Sequence, residues 1–83
     1  MQGNPAFGEA FIEVVENQIR ENNPPATKKT FNRLTEEGYS IDEAKRLIAA
    51  VLANEMFTMM QNSEMFNEAR YVAALQKLPD LPE

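Results

Sequence analysis

Cysteine and histidine are both absent from this 83-residue sequence. Without cysteine, the chain has no disulfide framework and no thiolate metal site. Without histidine, it lacks the usual general base for activating a serine and a common metal-ligating nitrogen. A small domain without such cross-links must be held together by packing, and often by a partner subunit.

Basic residues are also few relative to acidic ones, which gives the chain a formal net charge of −5. Nucleic-acid binders are usually basic, so we expect no nucleic-acid partner. One cluster of basic residues occurs in the second predicted helix, and we interpret it as the solvated face of that short helix. It consists of Lys28, Lys29 and Arg33. The longest apolar run, residues 47–53, is far too short to span a bilayer. With no secretory signal pattern at the N-terminus, we expect a cytoplasmic protein without membrane association.

The patterns that are present are helical, and no stretch alternates in the manner of a strand. They predict an all-α fold, a single-domain four-helix bundle spanning residues 1–83. The third helix, at roughly 20 residues, is expected to be long enough to touch the other three. The helices are expected at about 5–22, 26–37, 41–61 and 67–78, with a loose tail at 79–83.

Helix-terminating residues support these boundaries. Asn4 is a good N-cap, with Pro5 at the first helical position. Ser40 followed three residues later by Glu43 predicts a capping box at the start of the third helix. Gly38 can end the second helix in a left-handed conformation, because it has no Cβ.

Apolar residues at helical spacing define the expected core. The stripe of the first helix consists of Phe7, Ala10, Phe11, Val14, Val15 and Ile19. The second helix offers Phe31 and Leu34, with Ala26 or Thr30 in support. The stripe of the third helix consists of Ala44, Leu47, Ile48, Val51, Leu52, Met56 and Met59. The stripe of the last helix consists of Tyr71, Val72, Leu75 and Leu78.

The corner before the third helix permits two binding interpretations. A helix-turn-helix would place its recognition helix here, but Asp42 and Glu43 at its start would be repelled by phosphates. Gly38 and Tyr39 followed by Ala44 have the spacing of a ubiquitin-associated module. Helix capping and close helix packing explain the same residues without a ligand, so we favour the structural interpretation.

Carboxylates offer the one route to chemistry. Glu9, Glu13 and Glu16 lie on one face of the first helix, which indicates either a solvated acidic face or part of an oxygen-ligand site. No nucleophile motif, phosphate-binding loop or dinucleotide fingerprint occurs. We therefore expect a non-catalytic protein without a cofactor, and the alternative is a metal-dependent or catalytic protein that uses carboxylates such as Glu13, Glu16, Asp42 and Glu43.

A methionine-rich segment ends the third helix and continues into the following turn. Two interpretations are open: an internal core filled by flexible methionines, or an interface for a second copy of the chain or another protein. The second interpretation predicts a homodimer or a small interaction or assembly module. The residues concerned are Met56, Phe57, Met59, Met60, Met65 and Phe66.

Taken in order, several segments resemble a family of small, uncharacterised bacterial all-helical proteins. The segments are "NP" at 4–5, "VVENQI" at 14–19, "PP" at 24–25, "RLTEEGYS" at 33–40, "DEAKRLIAAVLANE" at 42–55 and "F-x-x-x-x-Y-V-x-x-L-x-x-LP" at 66–79. The resemblance covers most of residues 4–78 and implies a helical fold.

The resemblance also implies two His-x-x-x-His-type pairs, which would place imidazoles on one helix face as metal ligands. Here the histidine positions are occupied by Gly8, Ile12, Asp42 and Arg46, while Glu16 and Glu43 match the acidic positions. Asp42 and Arg46 lie four residues apart on the third helix. We therefore hypothesise that an ion pair between them replaces metal ligation in this chain.

Overall fold

The computed structural model describes residues 5–82, with side chains from residue 8 onward. Over that range the chain forms an all-α four-helix bundle, as the sequence predicts. The observed helix ends differ from the expected ones by at most one residue. The helices are α1 (Pro5–Glu21), α2 (Pro25–Glu36), α3 (Ile41–Asn62) and α4 (Glu68–Lys77).

The long helix α3 is the centre of the bundle, because it packs against each of the other three helices. Its buried residues include Ala44, Ile48, Val51 and Leu52. The other helices contribute the rest of one hydrophobic core. Those contributions are Val15, Leu34, Tyr71, Leu75 and Leu78. Among residues 5–82, no helix combines the length and the apolar character needed to cross a membrane.

The end of α2 and the start of α3 are set by local backbone chemistry. Ser40 Oγ accepts a hydrogen bond from the Glu43 amide at 3.0 Å, and a Glu43 carboxylate oxygen accepts one from the Ser40 amide at 2.9 Å. This confirms the predicted capping box. Gly38 has a φ of +108°, which confirms the expected positive-φ turn. The predicted N-cap Asn4 lies outside the described residues.

The apolar stripe of α1 differs from the prediction. Val14 is 42% exposed and Ala10 is also exposed, so neither belongs to the core. The face that packs on the bundle runs instead through Phe11, Ile12 and Val15. One helix face is too narrow to bury all the apolar residues of α1, and the contacts with α3 and α2 select the side that includes Ile12. Phe7, also expected in this stripe, has a side chain outside the described residues.

A polar side chain on α1 ties three helices together inside the core. Gln18 Oε1 accepts hydrogen bonds from Thr27 Oγ1 of α2 at 2.8 Å and from the Tyr71 hydroxyl of α4 at 2.9 Å. Tyr71 and Thr27 are fully buried. Burial raises the pKa of the Tyr71 hydroxyl, so it remains a neutral donor. Every polar group in this contact therefore has a partner, as a buried polar group requires.

The basic cluster of α2 does not form a uniformly solvated face, contrary to expectation. The Arg33 guanidinium donates to the carbonyl oxygens of Leu75 at 3.1 Å and Leu78 at 3.0 Å. These acceptors lie at the C-terminal end of α4, where helix carbonyls lack partners and a cation is favourable. Lys28 and Lys29 are exposed. Arg33 thus stabilises the junction of α2 and α4.

Candidate interaction surface

The most prominent surface feature is a set of exposed apolar residues at the end of α3 and in the α3–α4 turn. We call it the methionine surface; it comprises Met56, Phe57, Met59, Met60, Met65 and Phe66. Met60 is 76% exposed, Met65 is 87% exposed and Phe57 is 58% exposed. Met59 is half-buried. The interpretation of this segment as an internal methionine core is therefore wrong.

The bundle leaves this surface open because α3 is longer than its neighbours can cover. The buried positions of α3 end at Glu55, and the last two turns extend beyond them. Phe66 packs against the core residue Tyr71, with its ring centroid 5.5 Å from that of Tyr71. Large exposed apolar residues that lie together indicate a surface that binds something.

A buried carboxylate holds the turn that carries Met65 and Phe66. Glu55 is 4% exposed and makes two 2.8 Å hydrogen bonds with the Arg70 guanidinium of α4. It also accepts the Asn67 amide at 3.2 Å, while Arg70 pairs with Glu64 of the turn at 2.6 Å. Two parallel bonds between a guanidinium and a carboxylate are strong and directional. The turn is therefore fixed to the end of α3.

These bonds set the charge state of the turn. The hydrogen bonds from Arg70 hold the pKa of Glu55 below its ordinary value of 4.5, despite the opposing effect of burial. The carboxylates of Glu55 and Glu64, in turn, raise the pKa of Arg70. Both groups are therefore ionised at neutral pH and compensate each other. The only charged residue of the sequence between Leu47 and Met60 is thus neutralised within the fold.

Next to the methionine surface, a groove of about 530 Å³ separates the start of α1 from α3. Small residues form much of its floor, and Phe11 and Ile12 contribute apolar walls. Glu9 and Arg46 are the two charged residues that line it. The small residues are Gly8, Ala49, Ala50 and Ala53.

A second cavity of about 550 Å³ lies beside the groove and collects the acidic face of α1. Its lining contains Glu9, Glu13 and Glu16 of α1 together with Asp42 and Arg46 of α3. Within the described chain, no group of three or more acidic side chains has the arrangement of a metal site. The cavity is open and carries both signs of charge.

Of the positions on α1 and α3 that the resemblance implies for a metal site, Glu16, Asp42 and Arg46 line the acidic cavity. Asp42 accepts a hydrogen bond from Arg46 Nε at 2.8 Å, which is the ion pair hypothesised from the sequence. Glu16 pairs with Lys45 at 3.1 Å, a contact across α1 and α3 that the sequence did not suggest. Glu43 is engaged in the capping box. That these contacts replace metal ligands stays a prediction.

The histidine positions implied by the resemblance also adjoin one another. Gly8, Ile12 and Arg46 line the groove, while Ile12, Asp42 and Arg46 line the acidic cavity. Gly8 and Ile12 have no metal-ligating atom in their side chains, and Arg46 would repel a cation. The donors present are therefore carboxylates that already have basic partners or face solvent.

Two residues important for this architecture were missed in the sequence. Glu55 lies on the same helix face as Ile48, Val51 and Leu52, so a charge within a buried stripe was the available signal. Gln18 carries the same signal, because it follows Val15 by one turn on the buried face of α1. A polar residue at a core position predicts a buried partner, but the sequence alone does not name that partner.

The described residues form a small all-helical domain whose most distinctive surface feature is a set of exposed large apolar side chains. Comparisons with protein-family models, with curated proteins and with solved structures found no match. The family resemblance noted in the sequence therefore stays a prediction.

Proposed function

We propose that this protein is a non-catalytic interaction module that forms a homodimer through the methionine surface. The observation that carries this proposal is the exposure of Met56, Phe57, Met60, Met65 and Phe66 at one end of the bundle. Large contiguous apolar patches are rare on monomeric proteins, so several large exposed apolar residues close together in sequence suggest an interface. Methionine and aromatic residues are also enriched in protein interfaces.

The charges near the methionine surface permit a second copy as its occupant. The chain carries a net charge of −5, so two copies repel each other over most of their surfaces. The segment from residue 56 to residue 63 contains no charged residue, so two copies can approach there with little repulsion.

A cytoplasmic location is part of the proposal, because the chain has no cysteine that an oxidising compartment would pair.

Light scattering of the purified chain and two variants tests the proposal. Phe57→Gln replaces an aromatic side chain at the centre of the methionine surface. Ile41→Gln is the matched control, because Ile41 is 61% exposed against 58% for Phe57 and lies at the opposite end of α3. At tens of micromolar, the unmodified chain and Ile41→Gln are expected to have twice the chain mass, and Phe57→Gln a lower mass.

Equal masses for the two variants would contradict a role for this surface, and a monomeric unmodified chain would contradict dimerisation altogether.

The alternative function, carboxylate-based metal binding or catalysis between α1 and α3, has one supporting observation. That observation is the collection of Glu9, Glu13, Glu16 and Asp42 around one cavity. Added Mg²⁺ or Ca²⁺ would then raise the thermal midpoint, because a ligand of the native state stabilises it.

A further inference from the structure

The exposed face of α3 extends beyond the methionine surface toward the start of the helix. Residues three and four apart share a helix face, and this face follows such steps without interruption. It begins at Arg46, passes through the alanine floor of the groove and ends at Met60. On this face Ala53 is half-buried and Ala49 is buried at the floor of the groove, while the remaining residues, Arg46, Ala50, Met56, Phe57 and Met60, are exposed. The spacing of all these residues is that of positions a, d and e in two heptads, the pattern of a helix that packs lengthwise on another helix.

About Ala53, two pairs of positions on this face combine a small residue with a large one, whereas the outer pair, Arg46 and Met60, combines two large residues. Ala50 and Met56 lie three residues to either side, and Ala49 and Phe57 lie four residues to either side. A two-fold axis through Ala53 would therefore bring the small residues of one copy opposite the large residues of the other. Large side chains opposite small ones let two helices interdigitate, as close packing requires.

The shape of the groove agrees with such an arrangement. Its volume of about 530 Å³ leaves room for an aromatic side chain from outside. Gly8 borders it within α1, although a Cβ at Gly8 would meet no atom within 4 Å. Glycine inside a helix costs about 0.5–1 kcal/mol relative to alanine, and internal packing does not require it here. An incoming side chain from a partner gives this glycine a packing role.

The exposed area of the methionine surface can be compared with the area that a stable interface needs. With roughly 200 Å² for a fully exposed side chain of this size, the five most exposed residues of the methionine surface offer roughly 600 Å². A standard interface buries about 800 Å² on each partner. The methionine surface alone falls short of that size, and the adjoining groove extends it along the same helix face.

We propose that two copies of this chain pair their α3 helices in antiparallel orientation about an axis at Ala53, with Met56 and Phe57 of each copy filling the alanine groove of the other. This inference rests on the proposed function, because it requires the homodimer, and it adds the counter-surface and the register. The contact is isologous, as expected of a symmetric dimer that closes on itself.

Single engineered cysteines test the register, because the natural chain has none and any disulfide must join two copies. Ala53→Cys places the new thiol on the two-fold axis, next to its own symmetry mate. Ala73→Cys, at an exposed alanine of α4, is the control for random collision. A dimer gives the facing thiols an effective concentration on the order of millimolar. At about 50 µM protein, Ala53→Cys is therefore expected to cross-link at least roughly tenfold faster than Ala73→Cys.

Two further variants distinguish antiparallel from parallel pairing. In the antiparallel register, Ala50→Cys faces Met56→Cys of the other copy, and a mixture of the two variants cross-links. Each variant alone is expected to cross-link slowly, because its own symmetry mate lies about 9 Å further along the helix at 1.5 Å per residue. Disulfides do not form when the Cα atoms are more than about 7 Å apart without backbone movement.

The outcomes separate this inference from the proposed function. A dimeric mass by light scattering, together with cross-linking of Ala53→Cys at the rate of Ala73→Cys, overturns the α3 register and leaves the homodimer in place. Rapid cross-linking of Ala50→Cys by itself overturns the antiparallel orientation. A monomeric mass for the unmodified chain overturns both proposals.

Discussion

At the scale of single residues, the fold depends on a few polar side chains placed where the helical pattern calls for apolar ones. Gln18 accepts two hydrogen bonds in the core, and Glu55 accepts three in the α3–α4 turn. Each of these side chains fixes helix positions that a purely apolar core would leave undetermined. Hydrophobic packing is non-directional, whereas these bonds require one relative position of the helices.

The Tyr71 hydroxyl provides a test of the buried contact with Gln18. Tyr71→Phe keeps the ring and its packing but removes one donor to Gln18, which retains Thr27. We expect a loss of about 0.5–1.5 kcal/mol in the free energy of unfolding, measured by urea denaturation. Tyr39→Phe is the matched control, because Tyr39 is only half-buried. An equal effect of the two substitutions would contradict a role for the buried hydrogen bond.

The Glu55 carboxylate predicts a pH dependence. Its pKa in the folded state lies below the ordinary value of 4.5, so its charge stabilises the fold above that pH. This contribution is lost as the pH falls through the lowered folded-state pKa. Glu55→Gln is therefore expected to cost about 1–3 kcal/mol at pH 7 and progressively less in acid.

Urea denaturation of both proteins between pH 3 and pH 7 measures this difference, with the pH range set by the ordinary carboxylate value. The exposed Glu36→Gln is the control for loss of one negative charge. A constant difference between Glu55→Gln and the unmodified chain across the whole range would rule out the ionised pair as its cause.

At the scale of elements, local sequence signals accounted for the helices and their ends. Ser40, Glu43 and Gly38 act through neighbours in the sequence, so their roles could be predicted from spacing alone. The exposed side of α1 could not, because Val14 and Ile12 are equally apolar. Which of them is buried depends on where α3 and α2 pack. The same limit applies to Arg33, whose acceptors on α4 are more than forty residues away in sequence.

Removal of the α3 capping box should weaken the fold measurably. Ser40→Ala deletes the side-chain acceptor of the Glu43 amide and is expected to cost about 1 kcal/mol of unfolding free energy. Ser63→Ala makes the same chemical change at the other end of α3 and serves as the control. Circular dichroism melts of the two variants compare them directly. No difference between them would contradict the stabilising role of the cap.

At the scale of the whole molecule, one helix is too long for the bundle that surrounds it. The first turns of α3 are covered on their core side, while its last turns project with large apolar side chains. The sequence marks this segment as unusual but leaves open whether it lies in the core or at an interface. Deciding between the two required the lengths and positions of all four helices, which no single segment encodes.

Self-association predicts that stability depends on protein concentration. A partner that binds the native state raises the thermal midpoint as the concentration of that partner increases. In a homodimer, the partner is a second copy of the chain. The most direct test is thermal unfolding of the unmodified chain at about 1 µM and about 100 µM, each with and without EDTA. We predict a higher midpoint at the higher concentration and no effect of EDTA. A thermal midpoint that does not change with protein concentration but falls when EDTA is added would contradict the homodimer and favour the carboxylate site between α1 and α3.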